Sequence, residues 1–395
     1  MNACIKYDPN AFKVIELLDR RMLNRYVDPR GDYKLVLIRK EYGVDSLELK
    51  RVISATCNIK QSQIFLYGLK DKDAIAWQYI IIPSSHLKCI SSLYMGRVYP
   101  LKYSFTRDIF TKTLHVGNYF ITSIKIQEDY NLEDLIDIIN TCIQSRLPNY
   151  YGYQRFGIRR INHLVGRALI KGDYREAIDT ILYHTSDLED EHHRVWRVRA
   201  SKVDYCKALD IIPKDLKLER SILRRLCSGC SYEDAVRVIP KNILRLYIDA
   251  YRAYLFNLIT SFRILNRLPL DVCIDGDYYI SNNHIFRCRN TMNTIPLAPL
   301  IGFNYLLEGN TWIDDIYEKI LSREGIDIKS FYMRIYPYFK FYVEFRPLLL
   351  KVRRFRITRM NEREVVLRFR LDKGSYASIV LREIIKPINP IRQGF

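Results

Sequence analysis

Long apolar runs are missing from this sequence of 395 residues. No stretch approaches the roughly 20 apolar residues that a bilayer-crossing helix needs, so no membrane span is expected. The opening segment, Met1-Asn2-Ala3-Cys4-Ile5-Lys6, lacks the charged and apolar regions of a secretion signal, and a cytoplasmic location is expected. Internal repeats, Gly/Ser linkers and low-complexity tracts are also missing. Paired cysteines are scarce: nine cysteines are mostly isolated, and Cys227-Ser228-Gly229-Cys230 is the one C-x-x-C. It lacks both a second pair at zinc spacing and a strand-to-helix redox context, so it reads as structural. His192 and His193 follow Asp187, Glu189, Asp190 and Glu191. Adjacent histidines point to different faces of a helix or strand, so a solvated acidic loop is expected there and no metal. Acidic residues are in deficit, 44 against 63 basic ones, for a net charge of +19.

What is present fits a soluble globular protein: 48% hydrophobic and 27% charged residues. The length allows two domains with ample core. The positive surface attracts polyanions. The 30 tyrosines among the basic residues suit splayed or single-stranded nucleic acid.

The stretch Gly68-Leu69-Lys70-Asp71-Lys72-Asp73-Ala74-Ile75-Ala76-Trp77-Gln78 lies between two strand-like runs, Ile64 to Leu66 and Tyr79 to Ile82. Glycine permits a sharp turn and a close approach. Asp71 sits between two lysines, and a carboxylate beside cations stays ionised even when partly desolvated. An aspartate acting as nucleophile or base at neutral pH needs that state. A solvated turn is the plain alternative.

Taken in order, Ala11 to Glu16 reads as an edge strand and Tyr33 to Arg39 as a second strand. Asp45 and Glu48 form a capping box for a helix that ends near Cys57. Leu132 to Arg146 is amphipathic, with Leu132, Leu135, Ile136, Ile139 and Ile143 on one face. Residues 173–240 read as mostly helical, Leu244 to Arg263 as a long helix and Trp312 to Leu321 as another. Arg159, Arg160, Arg167 and Lys171 suggest basic helix faces. Leu348 to Thr358 alternates apolar residues with Lys351, Arg353, Arg354 and Arg356, a strand that could follow a phosphate backbone. Gly374 and Ser375 are expected to end a strand and cap the last helix.

Six segments resemble motifs of the TruD family of RNA pseudouridine synthases, in the family's order. They are Phe12 to Glu16, the Asp71 loop, Gly117-Asn118-Tyr119-Phe120, Asn149 to Gly157, Ala250 to Asn257, and Phe369 to Glu383. Asn149-Tyr150-Tyr151-Gly152-Tyr153-Gln154-Arg155-Phe156-Gly157 is the most specific. Departures are Ala11 for an acidic residue, Ala76 and Ser378 for threonines, and Arg252 and Ala253 for glutamine and serine.

The resemblance implies an α+β fold: a catalytic domain on an antiparallel or mixed sheet, residues 1–158 plus 346–395, interrupted by an insertion domain at 159–345. It implies conversion of a tRNA uridine to pseudouridine without cofactor or metal, by a protein expected to be a monomer. The target would be uridine 13 or an anticodon-loop uridine. Asp71 would be catalytic, attacking the ribose or taking its 2′ proton. Phe120 would stack on the flipped uracil, with Asn118 and Glu16 beside it and Lys70, Asn149, Gln154 and Arg155 in support. Asn257 and Arg263 are weaker candidates. A noncatalytic tRNA-binding or RNA chaperone protein that keeps the fold is the rival reading, and a zinc enzyme on Cys227, Cys230, His192 and His193 a third.

Overall fold

The computed structural model describes residues 3–68, 70, 72–86, 97–108, 114–127, 131–309, 311–333, 335–336, 339–361, 363–390 and 393–395. In chain order the elements begin β1 (Ala3–Ile5), β2 (Phe12–Leu18), α1 (Arg20–Asn24), β3 (Tyr33–Lys40), α2 (Ser46–Cys57), β4 (Phe65–Leu66), β5 (Ile75–Pro83), β6 (Val98–Thr106), β7 (His115–Ile126) and α3 (Leu132–Gln144). Helices follow: α4 (Asn162–Lys171), α5 (Tyr174–Tyr183), α6 (Glu191–Ala200), α7 (Tyr205–Asp210), α8 (Lys217–Cys227), α9 (Tyr232–Arg237) and α10 (Lys241–Leu265). Then come β8 (Tyr278–Ser281), β9 (His284–Arg287), β10 (Leu297–Leu300), α11 (Trp312–Glu324), β11 (Glu344–Pro347), β12 (Val352–Asn361), β13 (Glu364–Asp372) and α12 (Ala377–Ile385).

Two compact units result, one of Met1–Leu147 with Lys351–Phe395, the other of Pro148–Leu350. The Asn149 to Gly157 segment therefore belongs to the second unit.

The first unit is built on a sheet ordered β12-β13-β7-β2-β5-β3-β6, with β1 added to β7 and β4 to β5. Its ladders are antiparallel except for β2 with β5. Alternation sets the faces. In β13, Val365, Leu367, Phe369 and Leu371 are buried, while Arg368 and Arg370 point the other way and keep contact with solvent. Helix α2 starts as its sequence dictates, with the Asp45 carboxylate accepting the Glu48 N–H at 2.7 Å. It buries Leu49, Ile53 and Cys57 on Val36, Ile38, Ile80 and Ile82 of the sheet.

Two expectations fail here. β2 is an interior strand between β7 and β5, because both its edges find partners far away in sequence. Ser375 does not cap α12: the N-cap residue is Tyr376, with no side-chain bond, and the Ser375 N–H closes a turn on the Asp372 carbonyl.

The second unit packs α4 to α11 around one core, beside a small sheet ordered β11-β10-β8-β9. Its arginines do not all line basic faces. Arg197 is 2% exposed. It donates to the Ile181 and Leu182 carbonyls and pairs with Glu189 and Glu219, all at 2.7–2.8 Å. Arg159 donates to the carbonyls of Ile181 and His184. Buried guanidinium persists only when its donors are satisfied this fully. Cys227 is joined to Cys206 by a disulfide, so the C-x-x-C is not a pair. His193 contacts Asp215 at 2.8 Å. Among the described residues no cluster of His, Cys, Asp or Glu could hold a metal, and no helix is long and apolar enough to cross a membrane.

Candidate active site

One edge of β5 is shared by two strands that approach from opposite ends. β2 pairs with Ile75, Ala76 and Trp77; β4 pairs with Ile80 and Ile81. Between them, at Gln78 and Tyr79, the ladder has no strand partner. An unpaired buried N–H is costly, and a carboxylate takes its place: Glu16 Oε2 accepts the Tyr79 N–H at 2.7 Å. Its other oxygen, Oε1, accepts from Lys70 Nζ. Both side chains are buried, Glu16 at 2% exposure. The Lys70 backbone N–H is held by Ser46 Oγ, at the start of α2, at 2.7 Å. Glu16 was expected at a strand end. The structure makes it the group that closes a gap in the sheet.

Lys70 was expected to flank and ionise Asp71. Its ammonium is instead committed to Glu16. Lys72 is exposed, and its carbonyl accepts the Gly43 N–H at 2.9 Å. Asp71 itself, with Leu69, lies outside the described residues.

Asn118 pairs in register with Glu16 on one side and Leu371 on the other. Its Oδ1 lies 3.3 Å from His115 Nε2. Burial, with a smaller contribution from Lys70, pushes the His115 pKa below its ordinary value despite the opposing Glu16 charge. The neighbouring Gly117 has a packing reason: a Cβ there would stand 2.2 Å from the Leu371 carbonyl oxygen. Phe120 is 6% exposed, with its ring against Phe12 at 6.0 Å and Phe369 at 5.5 Å between centroids.

Sequence reasoning missed two residues of this neighbourhood. Gln78, one position beyond the last β2–β5 pair, has 0% exposure, and neither amide atom has a hydrogen-bond partner. The buried Tyr67 hydroxyl is also unpartnered. Its pKa is raised by burial first and by the Glu16 charge second. Gln78 was visible as the last letter of the loop motif. Tyr67 carries no sequence signal.

The Asn149 to Gly157 segment forms its own network in the second unit. The Asn149 N–H donates to the Leu348 carbonyl and its Nδ2 to the Pro347 carbonyl. Its Oδ1 and backbone oxygen accept from Arg346 at 2.8 and 3.0 Å. Asn257 holds both backbone groups of Tyr151, at 2.8 and 3.1 Å. Arg155 lies 3.9 Å from Asp249 and over the Tyr151 ring. Gln154 is exposed. Asn149 thus fixes backbone. Arg346, which no motif singled out, is its buried partner.

The departure at Arg252 is structural. Its guanidinium is buried and donates to the carbonyls of Leu300, Ile301 and Tyr342 and to Asp249. Arg263 is buried against Asp277 at 2.6 Å and belongs to the core.

Residues 1–384 match the family model described as tRNA pseudouridine synthase D (TruD). The chain is 32% identical to a protein of Pyrobaculum islandicum assigned as tRNA pseudouridine synthase D, over 99% of this chain and 94% of the relative. It is 30% identical to a Pyrococcus abyssi protein of the same assignment, over 97% and 96%. The crystal structure of a candidate tRNA pseudouridine synthase D from Methanosarcina mazei superposes with a TM-score of 0.74 at 24% identity, over 99% and 95% of the two chains. That last likeness is one of fold.

Proposed function

The chain belongs to the TruD family of tRNA pseudouridine synthases, and from that premise we propose that it isomerises one tRNA uridine, uridine 13, with Asp71 as the catalytic carboxylate. The reaction breaks the bond from ribose C1′ to uracil N1 and forms one from C1′ to C5. N1 gains a proton as C5 loses one, so nothing is oxidised or hydrolysed and no cofactor is called for. The observation that carries the site is the break in the β5 ladder. There the sheet gives up a strand partner, and Glu16, clamped by Lys70 and Tyr79, anchors the loop whose next residue is Asp71. A buried carboxylate without a counter-ion is costly. Fixing Glu16 on Lys70 neutralises it and leaves Asp71 to the chemistry.

The uridine must leave its stack, at a cost of about a few kcal/mol. Asn118, the registered partner of Glu16, offers a polar group, and Phe120, two residues along β7 and paired with Val14, an aromatic wall. The unpartnered Gln78 amide can answer the imide edge of a uracil, which presents both a donor and acceptors. Within the second unit, Gln154 and Arg155 are candidates for substrate contact, and Asn149 holds their segment through Arg346. We place the enzyme in the cytoplasm and expect a monomer, which gel filtration with light scattering checks.

The test is pseudouridine formation on unmodified tRNA transcripts, mapped by site, with EDTA present. Wild type should yield product at a single uridine and Asp71→Ala none, while tRNA binding by the variant stays within a few-fold. If binding falls together with activity in a folded Asp71→Ala protein, the assignment of Asp71 is wrong. Product at another site moves the target, not the chemistry.

A further inference from the structure

The face of the large sheet opposite Phe369 and Leu371 carries one continuous transverse row. Arg353 of β12 pairs in register with Arg370 of β13, which pairs with Tyr119 of β7. Tyr119 pairs with Ile15 of β2, and Ile15 with Trp77 of β5. Trp77 pairs with Arg39 of β3, and Arg39 with Tyr99 of β6. Registered partners share a face, so the row crosses all seven strands of the main path. None of its members is buried. The Arg39 side chain is 40% exposed and that of Arg353 50%. The Arg39 guanidinium lies over Trp77 at 5.5 Å and over Tyr99 at 5.8 Å.

Two features show that this row lacks something. Arg353, which also keeps Asp372 at 3.3 Å, stands directly opposite Arg370, and at a neighbouring ladder step Arg356 stands opposite Arg368 with no carboxylate beside either among the described residues. Like charges facing across a ladder are destabilising. Arg356, Arg368 and Arg370 have no carboxylate partner among the described residues, and the buried Nε of Arg370 has no hydrogen bond. An anion between the facing guanidiniums removes the repulsion and supplies the missing acceptor. Beside that cationic end, Tyr119 and Trp77 present aromatic rings.

We propose that this row is a binding track for single-stranded RNA. Phosphates lie between the arginines of β12 and β13, and bases stack along Tyr119 and Trp77. The proposal rests on the RNA-modifying reading and deepens it: Ile15 and Trp77 are the chain neighbours of Glu16 and Gln78 and so lie on the opposite face of the sheet, where the track holds substrate RNA outside the site itself. A duplex does not fit: its bases are already stacked and offer no free ring faces. Strands about 4.8 Å apart make the row roughly 29 Å long, or about eight stacked nucleotides at 3.4 Å each.

An octamer of uridines tests it, in equilibrium binding without turnover. Wild-type tryptophan fluorescence should be quenched by the octamer, and the quenching should vanish in Trp77→Phe, which leaves Trp196 and Trp312 in place. Trp77→Ala should weaken binding about tenfold. Arg353→Gln with Arg370→Gln should reduce the slope of log affinity against log salt by about 1.4, at about 0.7 per phosphate. A duplex of the same length should bind more weakly than the octamer.

No quenching in wild type overturns the proposal, as does quenching that persists in Trp77→Phe or an unchanged salt slope in the double arginine variant. Because Asp71→Ala should keep octamer binding, failure of the track and failure of the catalytic assignment read out separately.

Discussion

Gln78 is a side chain the fold alone does not explain. A buried polar group without a partner costs about 1–3 kcal/mol, yet both of its amide atoms are in that state. Sites that keep such groups do so for a ligand. Gln78→Leu should therefore raise stability by about 1 kcal/mol in urea denaturation and lower kcat/KM on tRNA at least tenfold. Equal loss of both would make Gln78 merely structural.

Lys70 is the opposite case, a buried ion with its counter-ion in place. Lys70→Met leaves Glu16 buried and uncompensated, which costs about 3–5 kcal/mol. The denaturation midpoint should fall accordingly, and Glu16→Gln in the same chain should recover most of it.

His163 packs between the rings of Phe156 and Tyr254, with its buried Nδ1 unpartnered. Burial first, then Arg167 and His184, bring its pKa down from 6.5 to about 4. The unfolded state thus binds the proton first as pH falls. The stability this histidine permits is full above pH 6.5 and is lost between 6.5 and about 4. Thermal denaturation of His163→Phe across that window should show a shallower fall with pH than wild type.

Among the elements, α4 and α10 lie close because of one glycine. A Cβ on Gly166 would stand 2.1 Å from the Tyr247 carbonyl oxygen, so the helices would have to separate. Gly166→Ala should destabilise the protein by about 1–3 kcal/mol or more, as overpacking does. The disulfide from α7 to α8 closes a loop of 21 residues. Such a loop stabilises by about 3 kcal/mol in the chain-entropy account. Cys206→Ser should lower the melting temperature to match, and reductant should then have little further effect through this bond.

Local signals served at this scale wherever a feature is local. The Asp45–Glu48 box starts α2, and the alternation of β13 predicts which of its residues are buried. β2 was misread as an edge strand because its periodicity says which face is buried and nothing about which strands flank it. The N-cap position falls on Tyr376, one residue beyond Ser375.

Over the whole molecule the charge of +19 sets how RNA arrives, and the fold decides which cations are free to meet it. Arg159, Arg197, Arg252 and Arg263 are spent inside the second unit, whereas Arg356, Arg368 and Arg370 are not.

The sequence by itself determined the residue types of the Asp71 loop, the α+β class, the family motifs and the lack of long apolar runs. These rest on composition and on short spacings, which a chain carries without folding. Only the tertiary structure decided that Glu16 fills a gap between β2 and β4, that Lys70 neutralises it, that Asn149 serves Arg346, and that seven residues from seven strands fall in one row. Each of these joins positions tens to hundreds of residues apart. Such contacts are set by strand register and burial, which local periodicity does not encode.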